Sequence, residues 1–235
     1  MYYKGVNLKK YFNILDIRRN ILPSHTVLRQ PIPGRAGSIV SGRTFEESFI
    51  EVDIEIKGNN RNHFRRLVNQ LAYILATNEP GKLIFTDEPD KYYLAILEGN
   101  TQLREFYLYG TATLVFLIPD PIKFGKKVTI PIGQGVYTFY NNGTHKTRGI
   151  LTMELETYRV GVTNRKTGEF ISFTNHYEVG DIFTIDFINE YVTRNGYSVM
   201  DDLILESDFF SLDVGENTLS IVGGSGELVF RERWL

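Results

Sequence analysis

Over residues 50–57 the chain alternates without a break. Ile50, Val52, Ile54 and Ile56 fall on one side, and Glu51, Asp53, Glu55 and Lys57 on the other. A period of two is the mark of a strand with one buried face. The period then changes. Asn59-Asn60 offers a helix start, and Phe64, Leu67, Val68, Leu71, Ile74 and Leu75 recur at helical spacing as one apolar stripe. Asn78 and Pro80-Gly81 stop that helix. No other segment carries a convincing helical period. After the helix the chain reads as a strand over 83–85, an acidic turn over 86–90, a strand over 92–97 and a longer one over 106–118. Pro119-Asp120-Pro121 closes this half, because two prolines one residue apart block both a helix and a central strand.

Beyond Pro121 the helix signals vanish and turns punctuate the chain, at Asn141-Asn142-Gly143, Gly180-Asp181, Asn195-Gly196 and Gly223-Gly224-Ser225-Gly226. Short strands at such spacing predict a β-sandwich or jelly roll. Residues 206–235 read as a strand over 207–212, a turn, a strand over 218–222, a second turn at the glycines, and a closing strand, as at a sandwich edge. The fold class is therefore mainly β with one substantial helix, in two domains, residues 1–120 (α+β) and 121–235 (sandwich).

Composition excludes several function classes. A net charge of -2 does not suit a nucleic-acid binder. The absence of cysteine excludes disulfides and thiolate metal sites. Residues 1–20 lack the apolar run of a signal peptide, and no window approaches the roughly 18 apolar residues of a membrane span, so no membrane insertion is expected.

Candidate chemistry is sparse. His25, His63, His145 and His176 form no closely spaced pair, and His63, at the helix start, reads as a solvated or capping residue. Asp87, Glu88 and Asp90 lack calcium-loop spacing and read as a surface turn. Asp201-Asp202 and Asp181 with Asp186 are the available carboxylate pairs for glycoside hydrolysis, but adjacent residues of an extended chain point apart, so loop charges are the better reading. No catalytic residue, metal ligand or cofactor site is assigned, and the expectation is a protein that is not an enzyme. Tyr137, Phe139 and Tyr140 read as sheet-face packing, with sugar stacking as the alternative. One segment resists a core explanation. Arg29-Gln30-Pro31-Ile32-Pro33-Gly34-Arg35-Ala36-Gly37-Ser38 is extended by its prolines and turned by its glycines. It reads as an arm or rim loop able to reach a neighbouring subunit, where Arg35 can make a forked contact.

These blocks, in this order, resemble the distal tail proteins of long, non-contractile-tailed bacteriophages. The match rests on Pro33-Gly34-Arg35-Ala36-Gly37, on residues 49–57 with the helix after them, and on residues 83–93. It continues through Asp120-Pro121, Asn141-Asn142-Gly143-Thr144, Gly180-Asp181, Asn195-Gly196, Ser207-Asp208-Phe209-Phe210, Gly215-Glu216-Asn217 and the ending Trp234-Leu235. The family usually has proline where Val214 stands.

The resemblance implies a virion structural protein at the distal end of the tail, assembled in the host cytoplasm. Its first half would be a belt domain forming a hexameric ring, and its second a galectin-like sandwich outside that ring. Expected partners are further copies of itself, the tail tube protein, the tail-associated hub or lysin protein, and receptor-binding or baseplate proteins, with DNA only passing through the lumen. Pro33, Gly34, Arg35 and Gly37 of the arm, with Ile50, Val52 and Ile54 of the strand, are the expected subunit-interface residues. The alternative is a carbohydrate-binding adhesion protein acting through the sandwich.

Overall fold

The computed structural model describes residues 1–235 and divides into two compact units, Met1–Lys123 with Leu235, and Phe124–Trp234. The first unit contains β1 (Tyr2–Tyr3), β2 (Val6–Asn7), β3 (Asn13–Arg18), β4 (His25–Pro31), β5 (Ser38–Phe45), β6 (Ser48–Lys57), α1 (Arg61–Leu75), β7 (Gly81–Ile84), β8 (Tyr93–Glu98), β9 (Arg104–Glu105) and β10 (Tyr109–Ile118). Its main sheet runs in the order β2-β1-β7-β8-β10-β6-β3, with β9 also on β10. The alternation over 50–57 becomes β6, whose Ile50, Val52, Ile54 and Ile56 are all buried while Glu51, Asp53 and Glu55 keep contact with water.

α1 covers the apolar face of this sheet through Phe64, Leu71 and Leu75, each worth roughly 2 kcal/mol of burial. Its start is fixed at both ends of a reciprocal cap. The Asn60 side chain accepts from the His63 backbone N–H at 2.8 Å, and His63 Nδ1 accepts from the Asn59 N–H at 3.1 Å. The histidine therefore serves the helix terminus. No helix is long and apolar enough to cross a membrane.

The second unit contains β11 (Lys123–Ile132), β12 (Gly135–Asn141), β13 (Gly149–Leu155), β14 (Gly161–Asn164), β15 (Phe170–Ser172), β16 (Ile182–Asp186), β17 (Tyr191–Arg194), β18 (Tyr197–Ser198), β19 (Gly215–Val222) and β20 (Gly224–Trp234). Six strands, β11-β20-β13-β16-β17-β18, face four, β12-β19-β14-β15. Leu151, Phe183, Val192 and Leu228 from one sheet and Phe139, Val162, Ile171 and Leu219 from the other form a single core. Phe139 and Phe230 meet across it with ring centroids 5.8 Å apart. This is a β-sandwich.

The C-terminal segment departs from its sequence reading in three ways. Residues 207–212 are not a strand; they hold only an isolated bridge, Thr147 to Leu212. β19 and β20 are interior strands of their sheets, not edges. Of the four residues expected as a turn, only Gly223 turns, at φ 121°, and Gly224, Ser225 and Gly226 lie inside β20. Their glycines serve close packing. A Cβ on Gly224 would sit 1.9 Å from the Glu154 carbonyl oxygen, and one on Gly226 would sit 2.0 Å from that of Thr152, both on the neighbouring β13.

Candidate assembly interface

β4 and β5 pair only with each other, from His25 opposite Phe45 to Pro31 opposite Ser38, and form a two-stranded sheet separate from the main one. The hairpin tip follows from its sequence. Arg35 donates its backbone N–H to Ile32 O at 3.2 Å, with Pro33 and Gly34 at the corner and Gly34 at φ 78°. Proline followed by a positive-φ glycine is the requirement of a type II turn. A register shift between Leu28 and Arg29 marks a bulge, which twists the ribbon.

The base of the hairpin is pinned. Glu46 N–H donates to Ser24 O at 2.8 Å, the Thr26 hydroxyl donates to the Glu46 carboxylate, His25 Nδ1 lies 2.9 Å from Pro23 O, and the His25 and Phe45 rings meet edge-on.

Away from its base the hairpin packs on nothing. Every residue of β4 is exposed, and Leu28, Ile39 and Val40 show 48%, 54% and 63% of their surface. An isolated hairpin is marginal in water, and four apolar side chains (Val27 is the fourth) on one ribbon are costly to leave wet. Arg29, Arg35 and Arg43 are the arm's charges, and no carboxylate stands between His25 and Phe45.

The residues expected at the interface separate in the structure. Pro33, Gly34, Arg35 and Gly37 lie together at the exposed arm tip. Ile50, Val52 and Ile54 do not join them. They are 3%, 0% and 1% exposed within their own subunit's core, and both edges of β6 are occupied, by β10 and β3. Neither their side chains nor their backbone is available to a neighbour. Val27, Leu28, Ile39 and Val40 are the arm residues that the sequence reading missed.

Other candidate chemistry is committed to structure. Asp87 pairs with Arg19, and Glu88 with Lys91 and Lys123 at 3.2 Å each. Burial pushes the Glu88 carboxyl up, but the Lys123 and Lys91 ammonium groups outweigh it and hold its pKa below the ordinary glutamate value. Asp202 accepts from Asn175 and the Tyr177 hydroxyl, Asp181 from the Glu178 N–H and Asn195, and Asp186 from the backbone of Ile188 and Asn189. Tyr137 packs against the sandwich core, whereas Tyr140 is exposed and donates to Glu216, so the two tyrosines share no platform.

Residues 6–118 match the phage tail protein RIFT-related domain, and residues 142–234 match the siphovirus-type tail component C-terminal domain. The distal tail protein of Bacillus phage SPP1 is 26% identical over 241 residues, covering 100% of this chain and 95% of the relative. The solved structure of SPP1 Dit, a paradigm of the hub adsorption apparatus in phages infecting Gram-positive hosts, superposes with a TM-score of 0.86 at 22% identity over 99% of this chain and 98% of that one. A chain of the phage p2 baseplate aligns more loosely, with a TM-score of 0.50 at 13% identity over 94% of this chain and 90% of that one.

The fold and these matches define a siphovirus-type tail component. The chain belongs to the siphophage distal tail protein family.

Proposed function

We propose that this distal tail protein assembles into a hexameric ring at the tail tip, joining the tail tube to the hub protein and the receptor-binding apparatus. Residues 1–120 form the ring, and residues 121–235 supply a sandwich for contacts with the other tip proteins. DNA passes through the ring's lumen without being read. The role is structural, and no catalytic step is assigned to it.

The observation that carries this reading is the β4–β5 arm, pinned at its base and bare along its length. A ring is closed by one repeated heterologous contact, so each subunit must offer something that reaches and something that receives. The arm, with Pro33, Gly34, Arg35 and Gly37 at its tip, is the part that reaches.

Deleting residues 31–38 shortens the arm without touching either core. Native mass spectrometry of the intact protein is expected to show a closed oligomer, and the shortened chain is expected to remain a folded monomer with unchanged circular dichroism. An oligomer that survives the deletion would sink the role of the arm.

A further inference from the structure

The arm needs a receiving surface, and in a ring of identical subunits that surface lies on the same chain. The first unit carries an apolar groove of about 410 Å³ between α1 and the sheet. Val68 and Ala72 of α1, Leu97 of β8, and Leu103 form its walls, Ala112 of β10 also lines it, and no charged residue does. Ala72 is exposed to solvent there. Of the carboxylates close in sequence to the lining, Asp53, Glu55 and Glu98 alternate with inward-facing lining residues of their strands and so face the other side of the sheet, while Glu79 lies two residues beyond the lining residue Thr77. Glu79 is exposed and is in no ion pair.

We propose that this groove receives the β4–β5 arm of a second copy of the chain, an inference that rests on the ring reading above. Three observations select that occupant. The first is polarity. Thr26, Leu28, Gln30, Ile39, Gly42 and Thr44 share one face of the ribbon by its register, and that face is uncharged, like the groove. Leu28 and Ile39 are its apolar residues, both exposed.

The second is charge. The arm carries Arg29, Arg35 and Arg43 and no acid, while the groove has no lining cation and has Glu79 two residues beyond its lining residue Thr77. The exposed Arg35 at the tip then meets Glu79 as Leu28 and Ile39 enter.

The third is reach. A seven-residue strand spans about 23 Å, enough to cross onto a neighbouring domain of this size.

The chain has no cysteine, so an engineered pair is unambiguous. The variant carrying Ile39→Cys and Ala72→Cys changes two exposed positions and leaves both cores intact. Its assembly is read by native mass spectrometry under reducing conditions. The same sample is then oxidised and run on a non-reducing denaturing gel. The expected result is an intact ring and conversion of most of the monomer band into a ladder of covalent multimers, with each single-cysteine variant remaining monomeric on the gel.

An intact ring that yields no ladder overturns the groove assignment and leaves the ring reading standing. A fast-migrating oxidised monomer places the arm on its own subunit's groove and overturns it too. Dimers from Ile39→Cys alone make the contact arm-to-arm, with the same consequence. A wild-type chain that is monomeric throughout removes both the ring and the inference.

Discussion

Gly226→Ala separates two accounts of the same glycine. Gly226 is not among the positive-φ residues, so its backbone suits an L residue. If it were only a flexible turn residue, alanine would stabilise the protein by about 0.4–1 kcal/mol through the unfolded state. The structure requires the opposite. The added Cβ would stand 2.0 Å from the Thr152 carbonyl oxygen and 2.7 Å from the Met153 Cα, both backbone atoms of β13.

Close C–H to oxygen contacts lie at about 3.3 Å, so β20 must move from β13 by on the order of 1 Å. The pairs on either side, Thr152 with Glu227 and Glu154 with Ser225, are then strained or lost. Overpacking of this kind costs about 1–3 kcal/mol, and a lost ladder hydrogen bond about 1 kcal/mol more, giving a net destabilisation of about 3 kcal/mol. In a domain of this size that lowers the unfolding midpoint by on the order of 10 °C. Thermal unfolding followed by circular dichroism measures it, with Ser225→Ala on the exposed side of the same strand as a control, expected to shift by only a few tenths of a kcal/mol. A Gly226→Ala protein as stable as the parent would refute the close-packing account.

Three further outcomes are expected. Asn60→Ala removes the α1 cap and costs about 1 kcal/mol in urea denaturation. The folded-state pKa of Glu88 lies below its ordinary value near 4.5, so its contribution is present above that pH and is lost as pH falls through the lower folded value. The midpoint of wild-type unfolding should therefore drop more steeply below pH 4.5 than that of Glu88→Gln. Substituting Leu28 and Ile39 together by Asp should leave the monomer's melting temperature within a few degrees of wild type, because both are exposed, while abolishing the oligomer in native mass spectrometry.

Much of the fold was legible because burial writes a period into sequence. β6 was plain from Ile50, Val52, Ile54 and Ile56, and α1 from its stripe, since each has one dry face. The prolines at 119 and 121 lie just before the point where the two compact units divide, between Lys123 and Phe124. The strands of the arm were not legible, for the same physical reason. β4 and β5 have no dry face in the subunit, and their bulge breaks whatever alternation remains, so only the Pro33-Gly34 turn announced them.

The same clear pattern in β6 misled in another way. A strand so well patterned toward its own core had nothing left to offer a neighbour, and Ile50, Val52 and Ile54 were never free for an interface. At the C-terminus, Gly224 and Gly226 resembled turn residues because glycine serves both turns and close backbone approach. Only the position of β13 distinguishes the two.

The bare arm is proposed to close a ring. Negative-stain class averages of the purified protein test it most directly. Six-fold rings with bridged seams are expected, and their loss when residues 31–38 are removed. Particles no larger than a single chain at high protein concentration, or rings unchanged by that deletion, would contradict it.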